Sequence, residues 1–128
     1  MIHKVLTLCF LLSQVSFVMG SENYGIAVHG GAGVMKNLSE NQKQKIEEQI
    51  TKTLTEAYKI IEQGGTSMDA VEFAVSEFED SPLFNAGRGS VYNSEEVQEM
   101  DASIMNGQNR SAGAVASVRS IKNPIKLA

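Results

Sequence analysis

The sequence predicts a mixed α/β protein, and three observations carry that expectation. Two stretches, around residues 40–62 and 67–80, repeat apolar residues every three or four positions, as amphipathic helices do. Two later runs, Met100–Met105 and Ser111–Val118, alternate in the manner of strands. Between Tyr24 and Gly33 a short apolar run passes into a loop rich in glycine.

At 128 residues the chain has room for one domain at most, and with 42% hydrophobic and 20% charged residues its composition is that of a globular protein. Met1 to Gly20 reads as a secretory signal peptide: Lys4 supplies a positive start, Val5 to Leu12 an apolar core, and Val18-Met19-Gly20 a small-residue end. The expected location is therefore secreted or periplasmic, with residues 21–128 as an incomplete domain. Ser13, Gln14 and Ser16 interrupt an apolar core already too short to span a bilayer, so no membrane association is expected after cleavage.

Loss of Lys4 leaves ten basic residues against fifteen acidic ones, which provides no basic footprint for nucleic acid. Cys9, the only cysteine, lies in the same leader, and His29 is the one histidine beyond it. Disulfides and zinc sites of Cys and His ligands are thereby excluded for residues 21–128.

Tyr24 to Val28 is expected to be a buried strand that runs into His29-Gly30-Gly31-Ala32-Gly33. Three readings of that loop compete: a phosphate cradle, an oxyanion loop, and a tight turn beside a site. The dinucleotide fingerprint fails on spacing, and the oxyanion loop of α/β-hydrolases lacks its G-x-S-x-G partner in this chain. A lone histidine at a strand end is more often a hydrogen-bonded structural residue than a catalyst.

Ile46, Ile50, Leu54, Tyr58 and Ile61 form one face of the first helix, with Lys43, Glu47 and Lys52 toward water. Ser39 and Gln42 have capping-box spacing, and Gly64-Gly65 ends the helix. Thr66 caps the second helix, with Asp69 at its third position and Ala70, Val71, Ala74, Val75 and Phe78 as its apolar stripe. Both stripes read as core. The following loop, Pro82 to Val91, holds apolar residues, the amide Asn85 and two glycines, a composition suited either to a buried turn or to a loop shaped for a purpose.

Met100–Met105 is expected to be a half-buried strand, and Asn106-Gly107 has hairpin turn chemistry. The small residues of Ser111–Val118 predict a central strand covered on both faces. Asn123-Pro124 reads as the entry to a third helix. A helix begun so near the last residue, beside strands without obvious cover, suggests part of a domain.

These pieces resemble the plant-type L-asparaginase/isoaspartyl peptidase family of N-terminal-nucleophile hydrolases. The matching motifs run in the family's order from about Tyr24 to Ala128: the His29 to Gly33 loop, Gly64-Gly65-Thr66-Ser67-Met68-Asp69-Ala70-Val71, Ser81-Pro82-Leu83-Phe84-Asn85-Ala86-Gly87, Met100-Asp101-Ala102-Ser103-Ile104-Met105, Ser111-Ala112-Gly113-Ala114-Val115-Ala116, and Lys122-Asn123-Pro124-Ile125-Lys126-Leu127-Ala128. The related glycosylasparaginases fit the two loops less well.

The resemblance implies a four-layer αββα sandwich of the N-terminal-nucleophile hydrolase type, of which this chain is the α-subunit portion. It implies a precursor that cuts itself, a β-subunit threonine as nucleophile with its own α-amine as base, and an (αβ)2 assembly. Implied substrates are L-asparagine and β-aspartyl dipeptides, both yielding L-aspartate. The threonine's Thr-Val-Gly segment, and the arginine and aspartate that hold the substrate, belong to the β-subunit and do not occur before Ala128. The 128-residue chain alone is thus expected to be inactive. Thr66, in the only Gly-Thr pair, is better explained as a helix cap than as a nucleophile.

The resemblance further implies a sodium-binding loop from Phe78 to Arg88, its ligands the backbone carbonyls of Phe78, Glu79, Ser81, Phe84, Ala86 and Arg88, with Ser81 where the family often has cysteine. No other cofactor is implied. Asn85 corresponds to the amide that reaches the nucleophile's surroundings, and His29, Gly30 and Gly31 to a supporting loop that borders the site and assists self-cleavage. The competing expectations are a naturally truncated inactive product able only to pair with a β-subunit, and an esterase that uses the His-Gly-Gly loop.

Overall fold

A computed structural model describes residues 24–31 and 37–128. The leader Met1 to Gly20, and Ala32 and Gly33 of the glycine loop, lie outside the described residues.

Helix α1 spans Glu40–Glu62 and α2 spans Ser67–Asp80. Both begin in capping boxes. The Ser39 hydroxyl accepts from the Gln42 amide at 3.3 Å while the Gln42 side chain accepts from the Ser39 amide at 2.9 Å; Thr66 and Asp69 repeat the arrangement at 3.1 and 2.8 Å. These hydrogen bonds, from the Thr66 hydroxyl first and its amide second, hold the Asp69 carboxyl below its usual range. Between the helices, Gly64 takes φ +86 and donates to the Ile61 carbonyl, and Gly65 donates to that of Ile60. Those two bonds form a Schellman motif, which ends α1 and turns the chain back.

The helices meet through small side chains. Ala57, Ala70 and Ala74 are buried together, with Ile26, Val28, Ile60, Ile61 and Phe73 packed around them. Thr53 is fully buried, its hydroxyl accepting from Gln49 at 3.2 Å. The expected stripe of α1 is thus displaced: Ile46, Ile50, Leu54 and Ile61 are only half-buried and Tyr58 is exposed, tilted against Tyr24 at 5.4 Å. Alanine and threonine let two helix backbones approach closely, so the interface centres on them and the larger residues flank it.

Tyr24–Val28 departs from its expectation as a buried strand. It belongs to no regular element; Ile26 and Val28 are half-buried against the helices while Ala27 is exposed. A strand requires a hydrogen-bonded neighbour, and no described residue supplies one.

Strands β1 (Met100–Met105) and β2 (Ala112–Val118) form an antiparallel hairpin. The connection is longer than Asn106-Gly107: the Asn106 carbonyl accepts from the Arg110 amide at 2.7 Å, and the Asn106 side chain accepts from the Gln108 amide at 2.9 Å. Burial alternates along β1, as expected. In β2, however, Ala112, Ala114, Ala116 and Ser117 are exposed, so among the described residues this strand is not covered on both faces. Its small side chains prepare a surface for another layer but cannot themselves supply one.

Met100 pairs with Val118 and Ala102 with Val115, so Ala116 and Ser117 together oppose Asp101 in a β-bulge. Ser117 sits at φ 52, and the Asp101 carboxylate accepts from its amide at 2.8 Å. A left-handed non-glycine residue costs about 1 kcal/mol. Ser117→Gly is therefore expected to stabilise the full-length protein by up to about 1 kcal/mol, seen as a raised urea midpoint at unchanged slope; a lowered midpoint would contradict the strain.

Among the described residues, 3-10 turns also form at Gly87–Gly89 and Pro124–Lys126. The second stands where a third helix was expected, with Pro124 at its first position and Leu127 still helical in φ and ψ. It is anchored to the end of α2: Asn123 and Lys122 donate to the Asp80 carboxylate at 3.0 and 2.8 Å, and the Glu79 carboxylate accepts from the Ile125 amide at 3.0 Å. The Lys122 and Asn123 hydrogen bonds hold the Asp80 carboxyl below its usual range. Gly113 on β2 packs so closely on this segment that a Cβ there would overlap the Ala128 carbonyl. The class is mixed α/β, and the two helices and one hairpin of the described residues are consistent with a partial version of the expected sandwich.

Candidate functional site

The loop between α2 and β1 folds back on the helix that precedes it. Ser81 ends α2, its amide donating to the Phe78 carbonyl at 3.2 Å and its buried hydroxyl accepting from the Leu83 amide at 3.3 Å. Phe84 then returns to the core, 6% exposed, with its ring 4.5 Å from that of Phe78 at a 41° tilt. The chain rises again through Gly87–Gly89.

Those two glycines define the interior of the loop. A Cβ on Gly87 would overlap the carbonyl oxygen of Glu79, and one on Gly89 would overlap that of Phe84 while lying 3.1 Å from the carbonyl oxygen of Pro82. Backbone oxygens of Glu79, Phe84 and Pro82 thus lie against the two glycines, at positions that a side chain would overlap or crowd. Phe78 and Ala86 carbonyls accept from the Ser81 and Gly89 amides, each keeping a second lone pair. No group of three His, Cys, Asp or Glu side chains suited to a metal occurs among the described residues. A cation here would therefore be held by backbone carbonyl oxygens, which are hard donors.

Asn85 is exposed at the tip of this loop. Its Oδ1 accepts from the Val91 amide at 2.9 Å, which fixes the side chain and leaves Nδ2 as a donor with no acceptor among the described residues. His29 is likewise exposed, and its Nδ1 accepts from the Gly31 amide at 3.2 Å. That bond places the proton of the neutral imidazole on Nε2.

The two loops adjoin through Gly30. A Cβ on Gly30 would come within 3.0 Å of the Phe84 ring and 3.3 Å of Ile50. The structure therefore brings Gly30 against Phe84, the residue before Asn85. Thr66 lies elsewhere, at the start of α2, where its hydroxyl is occupied by Asp69.

Reading the sequence missed one feature, the side chain of Glu79. It is 3% exposed, and burial pushes its carboxyl upward against the opposing effect of the Ile125 amide. Sequence gave only a weak signal for this, a glutamate placed one position after the last apolar residue of an amphipathic helix. Its contact with Ile125 spans 46 positions.

Residues 22–128 match the family model described as asparaginase. The isoaspartyl peptidase/L-asparaginase of Bos taurus is 52% identical over 103 residues, covering 80% of this chain and 33% of the relative. Its Homo sapiens counterpart is 48% identical over the same shares. A probable isoaspartyl peptidase/L-asparaginase 2 of Arabidopsis thaliana is 40% identical over 82% of this chain and 32% of its own length. The chain thus spans about a third of the relatives it matches.

These comparisons overturn the expected secreted or periplasmic location. The matching proteins are named as isoaspartyl peptidase/L-asparaginases, and the family match covers residues 22–128 without drawing on the Met1 to Gly20 stretch on which the expectation rested. That reading rested on one lysine before a short apolar run, and runs of that length also serve as buried segments.

Proposed function

This chain belongs to the asparaginase family, and from that premise we propose that it is the N-terminal, α-subunit portion of a hydrolase that releases L-aspartate from L-asparagine and from β-aspartyl dipeptides. The domain portion is residues 21–128. The nucleophile is a threonine outside this chain, exposed when the precursor cuts itself. Its hydroxyl adds to the β-amide carbonyl with its α-amine taking the proton, ammonia or the amine leaves, and water then frees aspartate from the acyl-enzyme.

What supports this reading is the order of the motifs together with the contact of the two loops, Gly30 lying against Phe84. Asn85 presents a fixed, uncharged donor beside the reacting centre, and His29 with Gly30 and Gly31 borders it. The carbonyls of Phe78, Glu79, Ser81, Phe84, Ala86 and Arg88 hold a sodium ion that stiffens the loop under Asn85; the ion's chemistry is structural. The β-subunit portion covers the exposed side of β2, and two αβ units assemble as (αβ)2. By itself the 128-residue chain turns over no substrate.

The test is aspartate release by the full-length protein from L-asparagine and from a β-aspartyl dipeptide, with gel electrophoresis to detect two fragments of the precursor. Release from neither substrate refutes the reading. Asn85→Ala is expected to lower turnover about tenfold, the worth of one hydrogen bond near the reacting atoms, with little change in melting temperature. Unchanged turnover would remove Asn85 from the site.

A further inference from the structure

Glu79 is the one charged side chain that is buried among the described residues. The others that are buried and polar are Thr53, Ser81 and Ser90, and the two serines flank the same loop. Among the described residues, one Glu79 carboxylate oxygen accepts from Ile125, whereas Oε2 has no hydrogen-bond partner, and neither does the buried hydroxyl of Ser90. A buried carboxylate with a free oxygen is costly unless a positive charge stands near it. Of the basic residues at this end of α2, Lys122 is bound to Asp80 instead, and Lys126, whose charge acts on Glu79 from an exposed position, makes no ion pair with it among the described residues.

The backbone of the same residue lines the cation loop, since Gly87 packs against the carbonyl oxygen, Cα and Cβ of Glu79. Covalent geometry keeps the carboxylate within about 7 Å of that carbonyl oxygen. Backbone carbonyls carry no net charge, so a cation held by them alone brings an unbalanced positive charge into the protein. We infer that the Glu79 carboxylate is the counter-charge of the cation in this loop, one residue contributing a backbone oxygen and a balancing anion. This rests on the reading of residues 78–88 as a cation loop. It also ties the loop to the Pro124–Lys126 turn, because the other carboxylate oxygen holds Ile125.

The test uses the full-length protein, melted over a range of sodium chloride concentrations with choline chloride holding ionic strength constant. The wild type is expected to gain melting temperature with sodium. Glu79→Gln keeps an acceptor for Ile125 while losing the charge, and is expected to need on the order of tenfold more sodium for the same gain. Absence of a sodium effect in the wild type overturns the loop reading and this inference together. A sodium dependence in Glu79→Gln equal to the wild type overturns this inference alone. A wild-type crystal structure with rubidium in place of sodium decides independently of how that variant folds. The anomalous peak is expected inside the loop, with no Lys, Arg or His on the free oxygen of Glu79; a basic side chain bound there overturns the assignment.

Discussion

Phe84→Ala is expected to destabilise the full-length protein by about 3–5 kcal/mol, the range for removing a buried aromatic ring. Phe84 is 6% exposed and touches the Phe78 ring, so its loss opens a cavity at the end of α2. The same ring supports Gly30, whose backbone lies against it in place of a side chain. Without the ring both loops lose their common wall, and Asn85, the next residue, loses its fixed base. Turnover should therefore fall together with stability, unlike the Asn85→Ala result. Phe84→Leu, which refills much of the volume, is expected to cost less than half as much. Denaturant midpoints at constant slope measure both. A loss below about 1 kcal/mol for the alanine variant would mean that Phe84 does not join the two loops.

The features that were legible in the sequence are those whose physics is local. Ser39 with Gln42 and Thr66 with Asp69 announce their helices because a capping box is closed within four residues. Met100–Met105 alternates because one face of a hairpin is apolar. The features that were not legible depend on partners far along the chain. Nothing around Ser117 signals a bulge, since Asp101 on the other strand creates it. The larger residues of α1 suggested the centre of its buried face, but the closeness of α2 gives that place to Thr53 and Ala57. Tyr24–Val28 has a strand's alternation without a strand's neighbour.

At the candidate site the same division holds. Motif order singled out both loops and Asn85 as candidates, because residue types and spacing are what a motif records. It could not give the contact between Gly30 and Phe84, which spans 54 positions, nor the burial of Glu79. A glutamate after a helical stripe reads as solvated until the Pro124–Lys126 turn folds over it.

Glycine substitutions separate the two physical requirements of the loop, and Gly87→Ala is expected to be the most damaging of them. Gly87 has φ +48, where a side chain costs about 1–2 kcal/mol. Its Cβ would also fall 2.6 Å from the Cα and Cβ of Glu79, and the first of these is backbone that cannot move without opening the loop. Adding an overpacking cost of similar size gives a loss of about 3 kcal/mol or more. Gly64, at φ +86 with nothing within 4 Å, isolates the strain, so Gly64→Ala is expected to cost about 1 kcal/mol. Gly107, open and outside the left-handed region, should tolerate alanine within about 0.5 kcal/mol. If sodium occupies the loop, the order of losses persists in sodium chloride, and the gap between Gly87→Ala and wild type widens there relative to choline chloride. This follows because a ligand stabilises only the form that can bind it. Equal losses at Gly87 and Gly64 would show that the loop interior is open enough for a methyl group. The carbonyls of Glu79 and Phe84 would then be too loosely placed to hold an ion.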